Sequence, residues 1–492
     1  MNQYKSLGGQ AIVYGLGNIV PRILNYAILT VYYTRRFSVE EYGVITELYA
    51  YVAILMVMLT YGMETGLFKF SVNNPAKADV YSTSLGSVTI TSVIFLFLVL
   101  IFRQDIAAWI GYKGNPEYIF YLGLTLAIDA VSAIVFAKLR IENKVRRFAL
   151  LKVLNVVFTI FFVFLFLEML PSLHVVSTTS WYESFLKDIG VGYVFIANVL
   201  ASFIVLVLQM YDLKQFRFKL DMPLLKHILA YSLPLLISGL AGILNETIDR
   251  ILIRHYVREG LDALHELGIY GANYRIAVLM TIFIQMFRYA AEPFFFNMYK
   301  TKDAKEIYAN VLKYFTIFLM IIFLGVALCI DLFKYFIDSS FHEGLGVVPV
   351  VLMANVLVGI LFNVNMWYKL TGHTLYGVYI TGIGAVITIV LNILFIPVFS
   401  FYACAWIHVA TNLVMVILTY VYGQKFYKIN YDLRGILVYI ALALGLYGLG
   451  MLLKTDNDFF NIGIGVIFVL IYVIICNRKE KLIKIFFSRN ED

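Results

Sequence analysis

Charge is scarce in this chain of 492 residues. Only 14% of them are Asp, Glu, Lys or Arg, against about 25% in an ordinary soluble domain, which excludes a water-soluble globular fold. Cysteine is scarcer still. Cys329, Cys404 and Cys476 each lie in an apolar run with no paired spacing, so neither a disulfide framework nor a metal knuckle is implied. The seven histidines are scattered, with no pair at ligand spacing. No GxxxxGK[ST] loop or GxGxxG element occurs, which argues against a nucleotide-driven pump within this chain. No small-residue cleavage site follows the first apolar stretch, so that stretch is expected to stay as a span.

What the chain has in quantity is apolar surface, 61% of its residues. An all-α polytopic membrane protein is predicted, with fourteen spans at about 7–33, 42–68, 81–102, 117–138, 148–170, 189–210, 228–253, 269–296, 312–336, 347–368, 374–396, 401–423, 434–453 and 459–477. Basic residues gather in alternate loops. The strongest group is Lys138, Arg140, Lys144, Arg146, Arg147 and Lys152, and by the positive-inside rule both termini face the cytoplasm. The net charge of +8 follows this loop pattern and implies no nucleic-acid partner. Many of the 36 tyrosines lie near span ends, as an interfacial belt requires.

One stretch organises the rest. Gly9–Thr34 is long enough to span, yet Pro21 and Arg22 sit near its middle. Asn18, Arg22 and Asn25 fall at i, i+4 and i+7, on one helical face. A charge at that depth costs about 2.5–3.5 kcal/mol on insertion scales, so it turns to a protein interior or a wet cavity. Ser232–Arg254 repeats the design, with Ser238, Gly242, Asn245 and Asp249 on one stripe. Ile-Leu-Asn occurs in both, ending at Asn25 and Asn245, and a Tyr-Gly pair follows each, Tyr42-Gly43 and Tyr270-Gly271. This predicts an internal repeat with the substrate site between the halves.

The candidate substrate-binding residues are Arg22, Asn18, Asn25, Asn245, Arg250, Arg275 and Arg288. Arginine suits phosphate because its planar fork donates two hydrogen bonds at once. The competing account is local pairing, since Glu246 with Arg250 and Arg288 with Glu292 are spaced i, i+4. Arg22 has no acidic neighbour on its own helix. Asp249, Glu246, Glu64 and Glu47 are the candidates for proton or sodium coupling, and Asp129 is a further acid at membrane depth. Glu64 lies inside Gly62-Met-Glu-Thr-Gly66, a small-xxx-small pattern that favours close helix packing. His408 and Asn412 share a face, which fits a hydrogen bond between helices. Pro21, Pro234, Pro293 and Pro349 are candidate bending points.

Three stretches carry a family resemblance: FSVEEYGVITELYAYVAILMVMLTYGMETGLFKF; AKLRIENKVRRFALLKVLNVV; and YSLPLLISGLAGILNETIDRILI with IYGANYRIAVLMTIFIQMFRYAAEPFFF. Through them the chain resembles the Wzx-type oligosaccharide flippases of the multidrug/oligosaccharidyl-lipid/polysaccharide exporter superfamily. The resemblance implies two six-helix lobes, placed at 1–215 and 216–428; many such flippases have twelve helices, so 429–492, an extra helix pair and basic tail, departs from that pattern. It implies an undecaprenyl-diphosphate-linked oligosaccharide, turned from the inner to the outer leaflet of the bacterial cytoplasmic membrane by alternating access. Arg22 and, after it, Arg250 and Arg275 would line the cationic cavity. No cofactor is expected, only proton or sodium coupling or the membrane potential. The expected partners are the lipid-linked substrate, membrane lipids, and a polysaccharide polymerase with its chain-length machinery, around a monomer. A lipid II flippase, a multidrug antiporter and, outside transport, a membrane glycan polymerase or ligase are the alternatives. The short outside loops argue against a catalyst, so no enzyme is expected.

Overall fold

A bilayer leaves no water for unpaired backbone groups, so an apolar chain crosses it as helices. The computed structural model describes residues 19–71, 77–171, 190–215, 220–299 and 301–481. Among these residues there is no strand. The first helix, α1, is described over 19–36 and contains a π-helical stretch, Asn25–Thr30. Then follow α2 (Val39–Thr60), α3 (Met63–Ser71), α4 (Lys77–Trp109), α5 (Pro116–Ile141), α6 (Val145–Phe164) and α7 (Gly192–Gln209). The second part holds α8 (Met222–Tyr256), α9 (Ala263–Met298), α10 (Ala304–Leu328), α11 (Val347–Val364), α12 (Leu375–Phe399), α13 (Phe401–Phe426), α14 (Leu433–Leu452) and α15 (Asp458–Glu480). Thirteen helical stretches among the described residues are long and apolar enough to span a membrane. They match the thirteen spans expected after the first, which itself begins outside the described residues.

Local chemistry sets the boundaries. Ser38 and Glu41 form a reciprocal cap on α2: the Glu41 amide donates to the Ser38 hydroxyl at 3.2 Å and the Ser38 amide to the Glu41 carboxylate at 2.9 Å. The chain breaks between α2 and α3 at Tyr61 and Gly62, with φ of 34° and 71°. The glycine pattern there packs tightly, as expected. A Cβ on Gly66 would lie 2.5 Å from the Ser232 hydroxyl and 2.7 Å from an Ile228 methyl. Helix α9 starts earlier than the predicted 269, because Asp262 caps it by accepting from the Leu264 amide at 2.9 Å.

The chain divides into two compact units. Unit 1 holds Met1–Leu29 and Val44–Thr247; unit 2 holds Thr30–Gly43 and Ile248–Asp492. The unit 1 core joins Met63, Leu67, Val80, Leu85, Ile134 and Ile228. In unit 2, Phe295, Tyr308, Phe362 and Met366 form one apolar cluster. The extra pair α14–α15 belongs to unit 2 and is held at two levels. Glu480 takes Lys313 at 2.7 Å and the Tyr439 hydroxyl at 2.6 Å. Near the other end, Lys334 meets Asp458 at 2.7 Å and Asn461 donates to Asp331 at 3.0 Å.

Candidate functional site

The acid predicted on the wet stripe is the centre of a buried cluster. Asp249, on α8, is fully buried. One carboxylate oxygen accepts from the Tyr270 hydroxyl at 2.6 Å and meets His408 Nε2 at 3.0 Å. The other accepts from the Arg250 amide at 2.9 Å and faces its guanidinium at 3.5 Å. That guanidinium lies over the Tyr274 ring, 4.5 Å from its centre, and Tyr274 is one turn from Tyr270 on α9. On α13 the Asn412 amide donates to the His408 carbonyl at 2.8 Å. A buried carboxylate needs compensation, and three helices supply it here.

Chemically, this is an acid and an imidazole in direct contact within a membrane-spanning region. A cationic ring, or the neutral tautomer with its hydrogen on Nε2, donates to Asp249 from this position. Among the described residues, His408 alone of the pair on this shared face makes a bond between helices, to Asp249, a partner that was not foreseen; Asn412 donates to the His408 carbonyl within α13. Tyr270 and Tyr274 were not foreseen either. Their i, i+4 spacing beneath an intramembrane Asp is the signal that could have pointed to them.

The cations are placed differently. Arg22 lies in unit 1, exposed on α1, and no hydrogen bond or ion pair ties it to another described residue. Asn25 opens the π-helical stretch and is half-buried; such stretches recur at functional sites. Asn18 lies outside the described residues. Asn245 is half-buried and Glu246 exposed on α8, and Arg275 is half-buried on α9. Arg288 does not pair with Glu292 as its spacing suggested. Lys369, from the short helix Met366–Leu370, takes Glu292 at 2.7 Å. Arg288 is exposed instead, with its guanidinium 5.1 Å from the Phe362 ring centre.

Two other candidate acids meet partners within unit 1. Glu64 binds Arg140 at 2.7 Å. Glu47 is fully buried and accepts from the Tyr112 hydroxyl. The basic turn is also tied down. Arg147 grips both oxygens of Asp212, at 2.7 and 3.0 Å, and Lys138 donates to the Asp212 carbonyl at 2.8 Å. In that turn, outside the spans, the hydrogen bond that Lys144 donates to the Glu142 carboxylate raises the pKa of Lys144.

These helices have the fold of the MOP-superfamily transporters. The chain superposes on a solved structure of the lipid II flippase MurJ in an inward closed conformation with a TM-score of 0.74. That match covers 95% of this chain and 99% of that one at 14% identity. An inward-facing MATE-family multidrug transporter of the MOP superfamily gives 0.66, covering 84% and 97% at 15% identity. The MATE multidrug transporter DinF-BH gives 0.60, covering 86% and 95% at 17% identity. In sequence, the Lsg locus putative protein 1 of Haemophilus influenzae is 21% identical over 302 residues, 59% of this chain. The match spans 66% of that protein's length, just under two thirds. The polysaccharide biosynthesis protein family matches residues 7–299, more than half of the chain. The chain belongs to that family.

Proposed function

We propose that the protein moves a lipid-diphosphate-linked oligosaccharide from the inner to the outer leaflet of a bacterial cytoplasmic membrane, with both termini in the cytoplasm. Arg22 is the observation that carries this reading: an exposed guanidinium within an apolar span, with no partner among the described residues. An arginine about 4 Å from a phosphate gains roughly 4 kcal/mol at an effective dielectric near 20, enough to offset the cost of its own insertion. Arg275 and Arg288 are further cations for the headgroup on unit 2, whereas Arg250 is held beside Asp249. Asp249 and His408 form the coupling pair, and an imidazole in contact with the carboxylate favours a proton over sodium. Export of surface glycan by cells carrying Arg22→Ala tests the reading: it is abolished while the protein stays in the membrane, and normal glycan refutes it.

The alternative reading is lipid II in place of that substrate, favoured by the extra helix pair, since the fold likeness to MurJ covers 95% of this chain. Rescue of a strain depleted of its peptidoglycan flippase supports lipid II. Failure to rescue, with loss of surface polysaccharide on deletion, supports the first.

A further inference from the structure

Fourteen residues of the first part of the chain, Thr30–Gly43, are packed as part of unit 2, although the chain on both sides of them belongs to unit 1. This strap is seated against the start of α9 by backbone contact. Gly268 faces the Val39 carbonyl and Gly43 faces the Leu264 carbonyl so closely that a Cβ at either position would collide. Around that contact the Tyr42 ring meets Phe341 edge-on at 5.4 Å, and Arg35 donates to the Tyr335 carbonyl at 3.3 Å.

Two histidines lie at the seam: His342, whose Nε2 is 3.1 Å from the Lys334 carbonyl, and His265, which meets the acids. His265 Nδ1 lies 2.9 Å from Glu40 of the strap, and its Nε2 lies 3.9 Å from Glu343 of the turn Ser339–Gly346. Glu266, the next residue along, adds a third acid and is occupied by the Ser400 hydroxyl. No cation other than His265 itself is paired with Glu40 or Glu343 among the described residues. A cationic imidazole donates from both nitrogens and attracts both carboxylates, whereas a neutral one donates from a single nitrogen. The strap is therefore held more firmly when His265 is charged.

We propose that Thr30–Gly43 is a releasable latch on unit 2, with His265 as its pH-sensitive catch, fastened in acid and loosened toward alkaline pH. In the orientation that loop charge predicts, this seam lies on the outer side, so the catch would sense external pH. The proposal rests on reading the chain as a transporter, but its test measures no transport, so the two can fail separately.

The test is labelling of a Val39→Cys variant by a membrane-impermeant maleimide, at about pH 5.5 and about pH 8, on either side of the ordinary histidine range. The three natural cysteines are buried. Dividing by the labelling rate of Glu259→Cys, an exposed position, removes the thiol's own titration. The normalised rate is expected to be about two- to five-fold lower at the acid pH, the size a part-exposed ion pair gives. His265→Gln should abolish that difference, and Gly268→Ala should label fast at both pH values. Equal normalised rates at the two pH values, or an unchanged difference in His265→Gln, overturn the proposal. If His265→Gln does not accumulate, Glu40→Gln and Glu343→Gln should each shrink the difference; an unchanged difference in both overturns it as well.

Discussion

Asp249 and Arg22 both lie within apolar spans, yet their surroundings have little in common. Asp249 is enclosed by Tyr270, His408 and Arg250, so its charge is met by groups from three helices. Arg22 is exposed and has no such partner among the described residues. A charge satisfied by its own protein can hold the fold together and, with an imidazole beside it, store a proton. A charge left to its surroundings is free for a ligand. Within one chain, the first arrangement suits coupling and the second suits substrate.

This contrast can be tested from its stronger side. Asp249→Ala removes the buried carboxylate on which Tyr270, His408 and Arg250 converge, which should cost about 3–5 kcal/mol. Thermal unfolding of the purified protein reads the loss, and an unchanged midpoint would remove Asp249 from the structural side of the contrast. Gly66→Val tests a site with no charge at all. The added methyls meet Ser232 and Ile228, and overpacking of this kind costs about 1–3 kcal/mol, seen as reduced yield of folded protein. His408→Gln keeps a donor for Asp249 but cannot become cationic. Its stability should fall by only about 1 kcal/mol, while export driven by a proton gradient is lost. Retained proton-driven export would assign coupling elsewhere. Arg288→Ala has the smallest effect, about 0.5–1 kcal/mol from its contact with Phe362. A larger loss in stability would mean that Arg288, unlike Arg22, is part of the scaffold.

Much of this architecture was legible in the sequence, because lipid forces each span to satisfy its own backbone. Hydropathy alone located the spans, and the Gly62–Gly66 spacing announced a close helix contact. Boundaries were less legible. The polar stretch 258–266 predicts a start for span eight at 269, whereas Asp262 caps a helix that starts inside that stretch. The candidate site divided in the same way. Asp249 stood out through the periodicity of its own helix, but His408 comes from a position 159 residues away, and no local pattern encodes that meeting. Arg288 shows the limit of spacing rules: an i, i+4 partner was present, and Lys369 from another element took it. The strap was equally out of reach, since its seat depends on two glycines more than two hundred positions apart in the chain.

The most direct measurement is the affinity of the purified protein for a polyprenyl diphosphate, compared between the parent, Arg22→Ala and His408→Gln. The Arg22 substitution should weaken binding at least about ten-fold, the range that hydrogen bonds to a charged group support, and the His408 substitution should leave it unchanged. Equal affinity in the parent and Arg22→Ala would contradict the account.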